Sequence, residues 1–229
     1  PLPPQVRVGG RATLHVSARG TIAEPVVAAQ LAAEALSVHV PPYGVYLEDG
    51  ALRASLAGDR IQVDELRLRG GEGTFTVTGG VPLTAEAAGA SLRWRADRLR
   101  VLGRPDLRVI LSGEGTAAVA NRRAAVEGRL RVDEAYIERG FDPLPRLGDD
   151  VVVVGSKPPS RKAERDALPL DLALVLDLGE SFKVREAGFD GLLRGELRLA
   201  TAKNGAGAGE IRAFGRISAA DATYRAYGR

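Results

Sequence analysis

Residues 170–178 read LDLALVLDL, so leucine occupies every second position from Leu170 to Leu178. A period of two residues is that of a β-strand, because successive side chains of an extended chain point to opposite faces of the sheet. One face of this strand is therefore a continuous apolar row. The same period recurs in segment after segment, which predicts an all-β, antiparallel chain with one apolar face.

Further segments carry the same alternation. Leu52 and Leu56 are separated by polar Arg53 and Ser55, and the segment around Phe75 alternates with threonine. These rows predict that one face of each strand is apolar and the other is hydrated. The apolar positions that we expect on the shared face are Leu52, Leu56, Phe75, Val77, Leu92, Trp94, Leu107, Val109, Leu111, Leu130, Val132, Leu170, Leu172, Leu174, Leu176, Leu197 and Leu199.

The alternation changes phase once within a single segment. Trp94 and Ala96 occupy even positions, whereas Leu99 and Val101 occupy odd ones. A β-bulge inserts one residue and shifts the parity, so we expect a bulge or a kink at residues 97–98. Trp94, the only tryptophan, falls on the apolar side, where core packing is favoured over a ligand role.

Glycine, proline and acidic pairs recur about every ten residues, a spacing typical of an all-β meander. We expect turns at Gly9 with Gly10, Pro41 with Pro42, Asp49 with Gly50, Gly58 with Asp59, Gly70 with Gly71, and Gly79 with Gly80. Residues 24–38 fit two structures. Val27, Leu31 and Ala35 lie on an alanine-rich helical stripe, whereas Pro25 and the surrounding turns favour an irregular strand pair, which we expect.

Composition narrows the class of protein. Hydrophobic residues make up 45% of the 229 residues and charged residues 27%, as in globular chains. Aromatic residues make up only 5%, so stacking platforms for nucleic acid are not expected. The net charge is +3, and the nearest approach to a basic patch, Arg93, Arg95, Arg98 and Arg100, indicates a solvated face, with anionic lipid headgroups as alternative partners.

No catalytic or metal constellation is visible, and we expect neither an enzyme nor a cofactor. His15 and His39 are isolated among strand residues, and there is no cysteine. Asp149 and Asp150 follow Gly148 and indicate a turn. The chain begins with Pro1, contains no methionine and has no apolar run long enough to span a membrane. We therefore expect a fragment whose membrane anchor lies outside it.

The predicted organisation has three parts. Residues 1–154 form a strand array and residues 170–229 continue it, while residues 155–169 form a flexible charged loop, since their composition cannot bury enough surface. Residues 203–209 alternate glycine and alanine. They lack the lysine and hydroxyl of a phosphate-binding loop, so a hairpin tip is expected there.

Several strings, taken in order, resemble the C-terminal part of the TamB family in the AsmA-like group. They are GTIAEP from Gly20, GVYLEDGALRASLAGDRIQVDELRLRGGEGTFTVTGG from Gly44, GDDVVVVG from Gly148, DLGESFKVREAGFDGLLRGELRL from Asp177 and YRAYGR from Tyr224. The resemblance covers nearly the whole chain. The resemblance implies a family pattern that continues past the final Tyr-Gly with further strands, so we expect this chain to stop before them.

The resemblance implies a β-taco, an elongated curled sheet forming a U-shaped trough with an apolar inner face. It implies a periplasmic location within an inner-membrane-anchored protein of a Gram-negative bacterium. It also implies passage of phospholipid towards the outer membrane, acyl chains being shielded by the apolar positions given above. The alternative that it implies is insertion of outer-membrane or autotransporter proteins with an Omp85-type (TamA-like) barrel partner.

Periodicity alone does not separate an open groove from a closed core in which apolar faces pack on one another. For the leucines of residues 172–176 and 197–199, both interpretations stay open. The scaffold alternative places function at a sheet edge, where an unpaired strand adds an incoming strand by β-augmentation. The candidate edges are the strand at residues 211–217 and the one that ends at Tyr224 and Tyr227.

Overall fold

A computed structural model describes residues 6–21, 25–83, 89–120, 123–138, 170–186, 188–202 and 210–225, which form one long curled sheet of twelve strands. This confirms the predicted all-β class. A short 3-10 helix, Pro41–Tyr43, separates two of the strands. The strands are β1 (Arg7–Gly20), β2 (Pro25–Val40), β3 (Val45–Ala57), β4 (Arg60–Gly70), β5 (Gly73–Pro82), β6 (Ala90–Arg104), β7 (Leu107–Ala120), β8 (Arg123–Ile137), β9 (Leu170–Asp177), β10 (Phe182–Glu186), β11 (Phe189–Ala202) and β12 (Glu210–Tyr224).

Strands β1 to β8 form a meander in which each strand is antiparallel to the next. Strands β9 and β10 share the position between β8 and β11, one following the other. Both are parallel to β8 and antiparallel to β11, and β11 pairs with β12. Within the described ranges β1 and β12 are the edges and do not pair with each other, so the sheet is open.

The parallel pair of β8 and β9 explains the long connection between them. A parallel neighbour requires the chain to return to the starting end of the previous strand, which takes a dozen residues or more. Residues 139–169 make that connection. The loop predicted at 155–169 and the turn predicted at 148–150 fall within it, outside the described residues, as does the hairpin tip predicted at 203–209.

The segment predicted as an irregular strand pair is a single strand, β2, which pairs with both β1 and β3. The preference for strand over helix is confirmed, and the pair is wrong. The irregularity is a bulge: the register shifts between Ala33 and Leu36, and Ala35 has a φ of 51°. A residue in the left-handed region bends a strand without ending it.

Bulges on β1, β2, β3, β6 and β8, together with the gap between β9 and β10, lie at one level and form a crease across the sheet. We define the crease by Gly10, Ala35, Asp49, Arg98, Asp133 and residues 178–181. Asp49 and Arg98 have φ values of 48° and 45°, which confirms the bulge predicted at residues 97–98. Aligned bulges increase local twist and bend each strand at the same level, which accounts for the curl.

Three of the predicted turns are wrong. Gly9 with Gly10, Asp49 with Gly50 and Gly79 with Gly80 all lie inside strands. The pairs at residues 58–59 and 70–71 and the prolines before Tyr43 do lie at turns. Glycine and aspartate tolerate positive φ in bulges as well as in turns, so the residue types do not distinguish the two.

Side-chain hydrogen bonds hold the crease between β6 and β8. The Ser112 hydroxyl accepts a hydrogen bond from the backbone N–H of Arg98 at 2.9 Å and donates one to Oδ2 of Asp133 at 2.5 Å. Further along, Nη1 of Arg104 donates to the carbonyl of Pro42 at 3.1 Å. This last bond joins β6 to the segment before β3, strands that are not neighbours in the sheet.

Few side chains are fully buried, and most of those lie near the crease. Among the described residues the buried hydrophobic set is Ala33, Ala54, Leu68, Ala96, Leu99, Leu107, Val132, Ala135 and Leu178, and no polar or charged residue is buried. A chain of this length folded as a closed sandwich has a much larger buried core. The sheet is therefore stabilised mainly by its ladders and by packing at the crease.

Candidate functional site

Strand register assigns each side chain to a face, because residues directly opposite each other point to the same side. One row of opposed residues, the central row, crosses the sheet from β2 to β12 and contains only apolar residues and glycine. Its members in order are Ala33, Leu52, Leu66, Val77, Trp94, Gly115, Gly128, Leu174, Leu199 and Ala213.

Two rows flank the central row on the same face. One contains Leu14, Leu31, Ala54, Val63, Gly79, Leu92, Ala117, Val126 and Leu172. The other contains Leu68, Phe75, Ala96, Gly113, Leu130, Leu176, Leu197 and Gly215. We call this surface the apolar face. The remaining expected residues join it by alternation or pairing: Leu56, Leu107, Val109, Leu111, Val132 and Leu170.

The apolar face is only partly shielded from solvent. Of the expected residues, Leu107 and Val132 are buried and Leu170 is exposed, while the others are half-buried. Towards the edges exposure rises, to 60% for Leu14 on β1 and 58% for Ile211 on β12. In the described part of the chain no second sheet or α-helix packs on this face.

Trp94 lies flat across two neighbouring strands of the apolar face. A Cβ atom built on Gly115 would stand 2.4 Å from Cζ2 of the indole, and one on Gly128 would stand 2.5 Å from the same atom. The two glycines therefore make the space that the ring occupies. The indole Nε1 is buried without a hydrogen-bond partner among the described residues. The sequence predicted that Trp94 lies on the apolar side of its strand. It did not predict that Gly115 and Gly128 leave the space for the ring.

Leucines that the sequence analysis did not single out close the crease end of the apolar face. Over Gly70, a Cβ atom would meet Cδ1 of Leu99 at 2.8 Å and Cδ2 of Leu47 at 2.9 Å. Leu47 lies on β3 and Leu99 on β6, so strands that are not neighbours meet there. Leu66 and Leu68 alternate with Arg67 and Arg69, which could have predicted an apolar side for this part of β4. The contact region of Leu47 and Leu99 could not be predicted in this way, because it depends on the crease.

The opposite surface, which we call the polar face, carries exposed cross-strand ion pairs. Arg53 donates to Glu65 at 2.6 Å, and Arg95 donates to Glu114 at 3.2 Å. Pairs this exposed contribute little to stability because water and salt screen them. Arg93 and Arg95 lie on this face and, like Arg98 and Arg100 beyond the bulge, are exposed, as expected for a solvated surface.

A polar cleft of about 770 Å³ lies where β10 and β12 finish and β11 begins. Its lining residues are Glu138, Arg185, Glu186, Gly188, Phe189, Asp190, Asp221, Thr223 and Arg225. Nε of Arg185 donates to Oδ2 of Asp190 at 3.0 Å, and Lys183 lies 3.6 Å from the same carboxylate. The hydrogen bond from Arg185 lowers the pKa of Asp190 below its ordinary value of 3.8. Arg185 also lies 3.9 Å from Oε1 of Glu138, so it pairs with two acids of the cleft.

The described residues contain no group of three or more His, Cys, Asp or Glu side chains placed to hold a metal ion. His39 contacts Oε1 of Glu48 at 3.0 Å and stacks at a tilt on Tyr46, with 5.4 Å between ring centroids. His15 is exposed on β1. The two histidines lie on different strands and share no partner among the contacts found.

Comparison of the chain with protein-family models identifies its family. The model of the TamB C-terminal domain matches residues 64–229, from within β4 to the end of the chain. The chain belongs to the TamB family. No curated protein and no solved structure gives a significant match.

Membership of the TamB family supports a TamB-like role in outer-membrane assembly. The family is a transport and assembly module rather than an enzyme family, and its members span the periplasm from an inner-membrane anchor in Gram-negative bacteria. In the described part of this TamB domain, no helix has the length and hydropathy to cross a membrane.

Proposed function

We propose that this TamB domain is a periplasmic segment of a lipid conduit, in which the apolar face shields phospholipid acyl chains between the inner and outer membranes. The observation that carries the proposal is the central row, which runs without a polar side chain from β2 to β12. An unbroken apolar row allows an acyl chain to move along the sheet, whereas a binding pocket holds a ligand at one position.

The energetics favour a surface of this kind. A diacyl lipid has roughly thirty methylene groups, and exposing them to water costs on the order of 25 kcal/mol. Aliphatic side chains offset that cost without directional bonds, so a chain held on them is free to slide. A site for one fixed ligand would add convergent polar groups, and no polar side chain is buried among the described residues.

The crease supports an inward orientation of the apolar face. Gly70 follows Leu68 at the same parity on β4, and above it the side chains of Leu47 and Leu99 meet. Side chains of strands three positions apart come together only on the inside of a curl. The expected lining residues then lie along the inner wall of a trough that is closed at the crease and open towards the opposite strand ends.

Photo-crosslinking tests lipid contact directly. A photoreactive residue is placed at Leu174 or Leu197 on the apolar face, and at Arg93 on the polar face as control. Arg93 precedes Trp94 of the central row on β6 and is exposed. After incubation with lipid extract, we expect lipid adducts at the two leucines and none at Arg93. Adducts at all three positions, or at none in a folded sample, contradict the proposal.

A charge substitution tests the same proposal by loss of function. Leu174→Asp places a carboxylate in the central row, and we expect it to abolish lipid binding while the circular dichroism of the sheet is retained. Ala173→Asp is the matched control, because Ala173 is the preceding residue on β9 and lies exposed on the polar face. Equal lipid binding by the two variants would exclude the central row as the binding surface for acyl chains.

A second candidate function is a scaffold for outer-membrane protein insertion with an Omp85-type barrel partner. The observation that favours it is the outer edge of β12, which pairs with no other strand among the described residues, with Ile211 and Ile217 exposed at 58% and 49%. The edges predicted at residues 211–217 and at Tyr224 belong to this one strand, while Tyr227 lies outside the described residues. Proline at Arg212, on the polar face of β12, is expected to abolish barrel assembly and to spare lipid binding if this function holds.

A further inference from the structure

The polar face of the last two strands differs from the rest of that face. Arg194, Glu196 and Arg198 point to it from β11, and Arg212, Phe214 and Arg216 from β12. Register places Arg198 opposite Phe214 and Glu196 opposite Arg216. We call Arg194, Arg198, Phe214 and Arg216 the basic patch.

Phe214 is the anomaly in this patch. Outward positions on the neighbouring strands are mostly arginine, threonine, glutamate, alanine or serine, yet here a phenylalanine ring is 57% exposed. It forms no ring contact with any described residue. Arg212 and Arg216 flank it on the same strand face, and Arg198 lies across from it. An exposed aromatic side chain framed by arginines points to a partner with both apolar and anionic parts.

The charges of the patch are available to such a partner. Arg194, Arg198 and Arg216 are exposed and form no ion pair within the described part of the chain. Four acids occupy positions of this face on β9, β11 and β12: Asp171, Asp177, Glu196 and Glu210. Glu196 lies opposite Arg216 and Asp177 lies opposite Glu196, while Asp171 forms an ion pair with Arg123 at 3.3 Å. Arg129 and Arg131 of β8 extend the same surface, opposite Val175 and Asp177. The net charge is positive.

We propose that the basic patch docks the domain on the surface of an anionic lipid bilayer. Guanidinium groups bind phosphate well and retain their charge at the headgroup level. A phenylalanine between them reaches the boundary of the acyl region, where its burial adds a term that salt does not screen. A polyanionic peptide or a nucleic-acid backbone would use the arginines but not the ring, and a stacking platform for bases needs several aromatic side chains, whereas the basic patch has one.

This contact is separate from the conduit. The basic patch is on the polar face, opposite Leu197, Leu199 and Ala213, so a bilayer surface on one side leaves the apolar face free for acyl chains on the other. A further strand added at the edge of β12 would pair with its backbone and leave the patch uncovered.

Vesicle flotation tests the proposal. The chain is mixed with vesicles of phosphatidylcholine alone or with phosphatidylglycerol added, at low and at high salt. We expect binding only to the anionic vesicles, weakened by salt. Arg198→Gln with Arg216→Gln should lower the partition coefficient about fivefold per arginine. Phe214→Ala should remove most of the binding that persists at high salt.

A matched control separates a local patch from net charge. Arg67→Gln with Arg93→Gln removes the same charge from the same face, on β4 and β6, where neither arginine forms an ion pair within the described residues. We expect these substitutions to leave binding within twofold of the unchanged chain. An equal loss for the two double variants overturns the patch.

A spectroscopic reporter locates the contact and does not depend on affinity. Phe214→Trp in a Trp94→Phe background gives a single tryptophan in the patch. We expect its emission to shift to the blue on anionic vesicles and to be quenched by brominated acyl chains. Unchanged emission on vesicles that bind the chain overturns the proposal. Binding of polyglutamate with no binding of anionic vesicles also overturns it and assigns the patch to an acidic protein.

Discussion

Trp94 on β6 fills space that a side chain at Gly128, two strands away on β8, would need. A Cβ atom at Gly128 would stand 2.5 Å from Cζ2 of the indole, well inside van der Waals contact. Gly115 on the intervening strand makes the same allowance. The three residues are consecutive in the central row, so one aromatic ring occupies the positions of three side chains.

Gly128→Ala is therefore expected to lower the free energy of unfolding by about 1–3 kcal/mol, because the added methyl displaces the indole and presses on the carbonyl of Glu114. Part of that cost should disappear in a Trp94→Ala background. Gly195→Ala is the control, because the three atoms nearest to its new Cβ belong to the β12 backbone, and its cost should not depend on Trp94. Urea unfolding of the unchanged chain, the two single variants and the double variant gives the coupling energy between Gly128 and Trp94. Fully additive effects of the two substitutions would contradict the contact between the indole and position 128.

The crease can be tested at Ala35, whose φ of 51° is in the left-handed region and whose side chain is exposed. Ala35→Val should lower the free energy of unfolding by about 1–2 kcal/mol, since a β-branched residue is strained at positive φ. Ala32→Val, on the same strand and exposed, should change it by less than about 0.5 kcal/mol. Equal urea midpoints for the two variants would show that the bulge is not fixed.

The Ser112 hydroxyl on β7 links Arg98 in the bulge of β6 to Asp133 in the bulge of β8. Ser112→Ala leaves the Arg98 N–H and the Asp133 carboxylate without this partner, which should cost about 1–2 kcal/mol. Ser112→Thr keeps the hydroxyl and should recover most of the loss. If alanine and threonine behave alike in thermal unfolding, the hydroxyl does not hold the crease.

The Asp190 carboxylate makes a pH-dependent contribution to stability. Its folded-state pKa is lowered by the hydrogen bond from Arg185, so the stabilisation is present above the unfolded-state pKa and is lost as the pH falls through the folded-state value. Asp190→Asn should therefore reduce stability at pH 7, and the difference should shrink as the pH falls below 3.8.

Urea unfolding from pH 7 to pH 3 measures this difference. In an Arg185→Gln background, Asp190→Asn should have a much smaller effect at every pH, with the residual effect due to Lys183 at 3.6 Å. A pH-independent difference between Asp190→Asn and the unchanged chain would contradict the assignment.

Much of the apolar face was predictable, because its cause is local. The alternation that starts at Leu170 fixes the face of every leucine on β9, and the parity change between Ala96 and Leu99 marks a bulge. Neighbouring strands then match row to row, because a slip of one residue would expose the apolar side chains. The register follows from the same pattern that predicts the strands.

Other features have no local cause. Ala35, Asp49 and Asp221 hold positive φ without being glycine, and nothing in their immediate sequence distinguishes these bulges from turns or regular strand. The parallel pairing of β8 with β9 leaves no mark either, since the alternation is the same in both orientations. The space for the Trp94 ring depends on Gly115 and Gly128, which are 21 and 34 positions further along the chain. Only strand pairing places these glycines beside Trp94.

The parallel junction between β8 and β9 also divides the folding reaction. Within β3 to β7, hairpins close over two-residue turns at residues 58–59, 71–72 and 105–106, so their contacts form early. Joining β9 to β8 requires closure of the connection formed by residues 139–169, at an entropic cost about 2–3 kcal/mol above that of a two-residue turn. We therefore expect the meander β1–β8 and the unit β9–β12 to form independently and to pair last along β8, which should give a slow phase in folding kinetics.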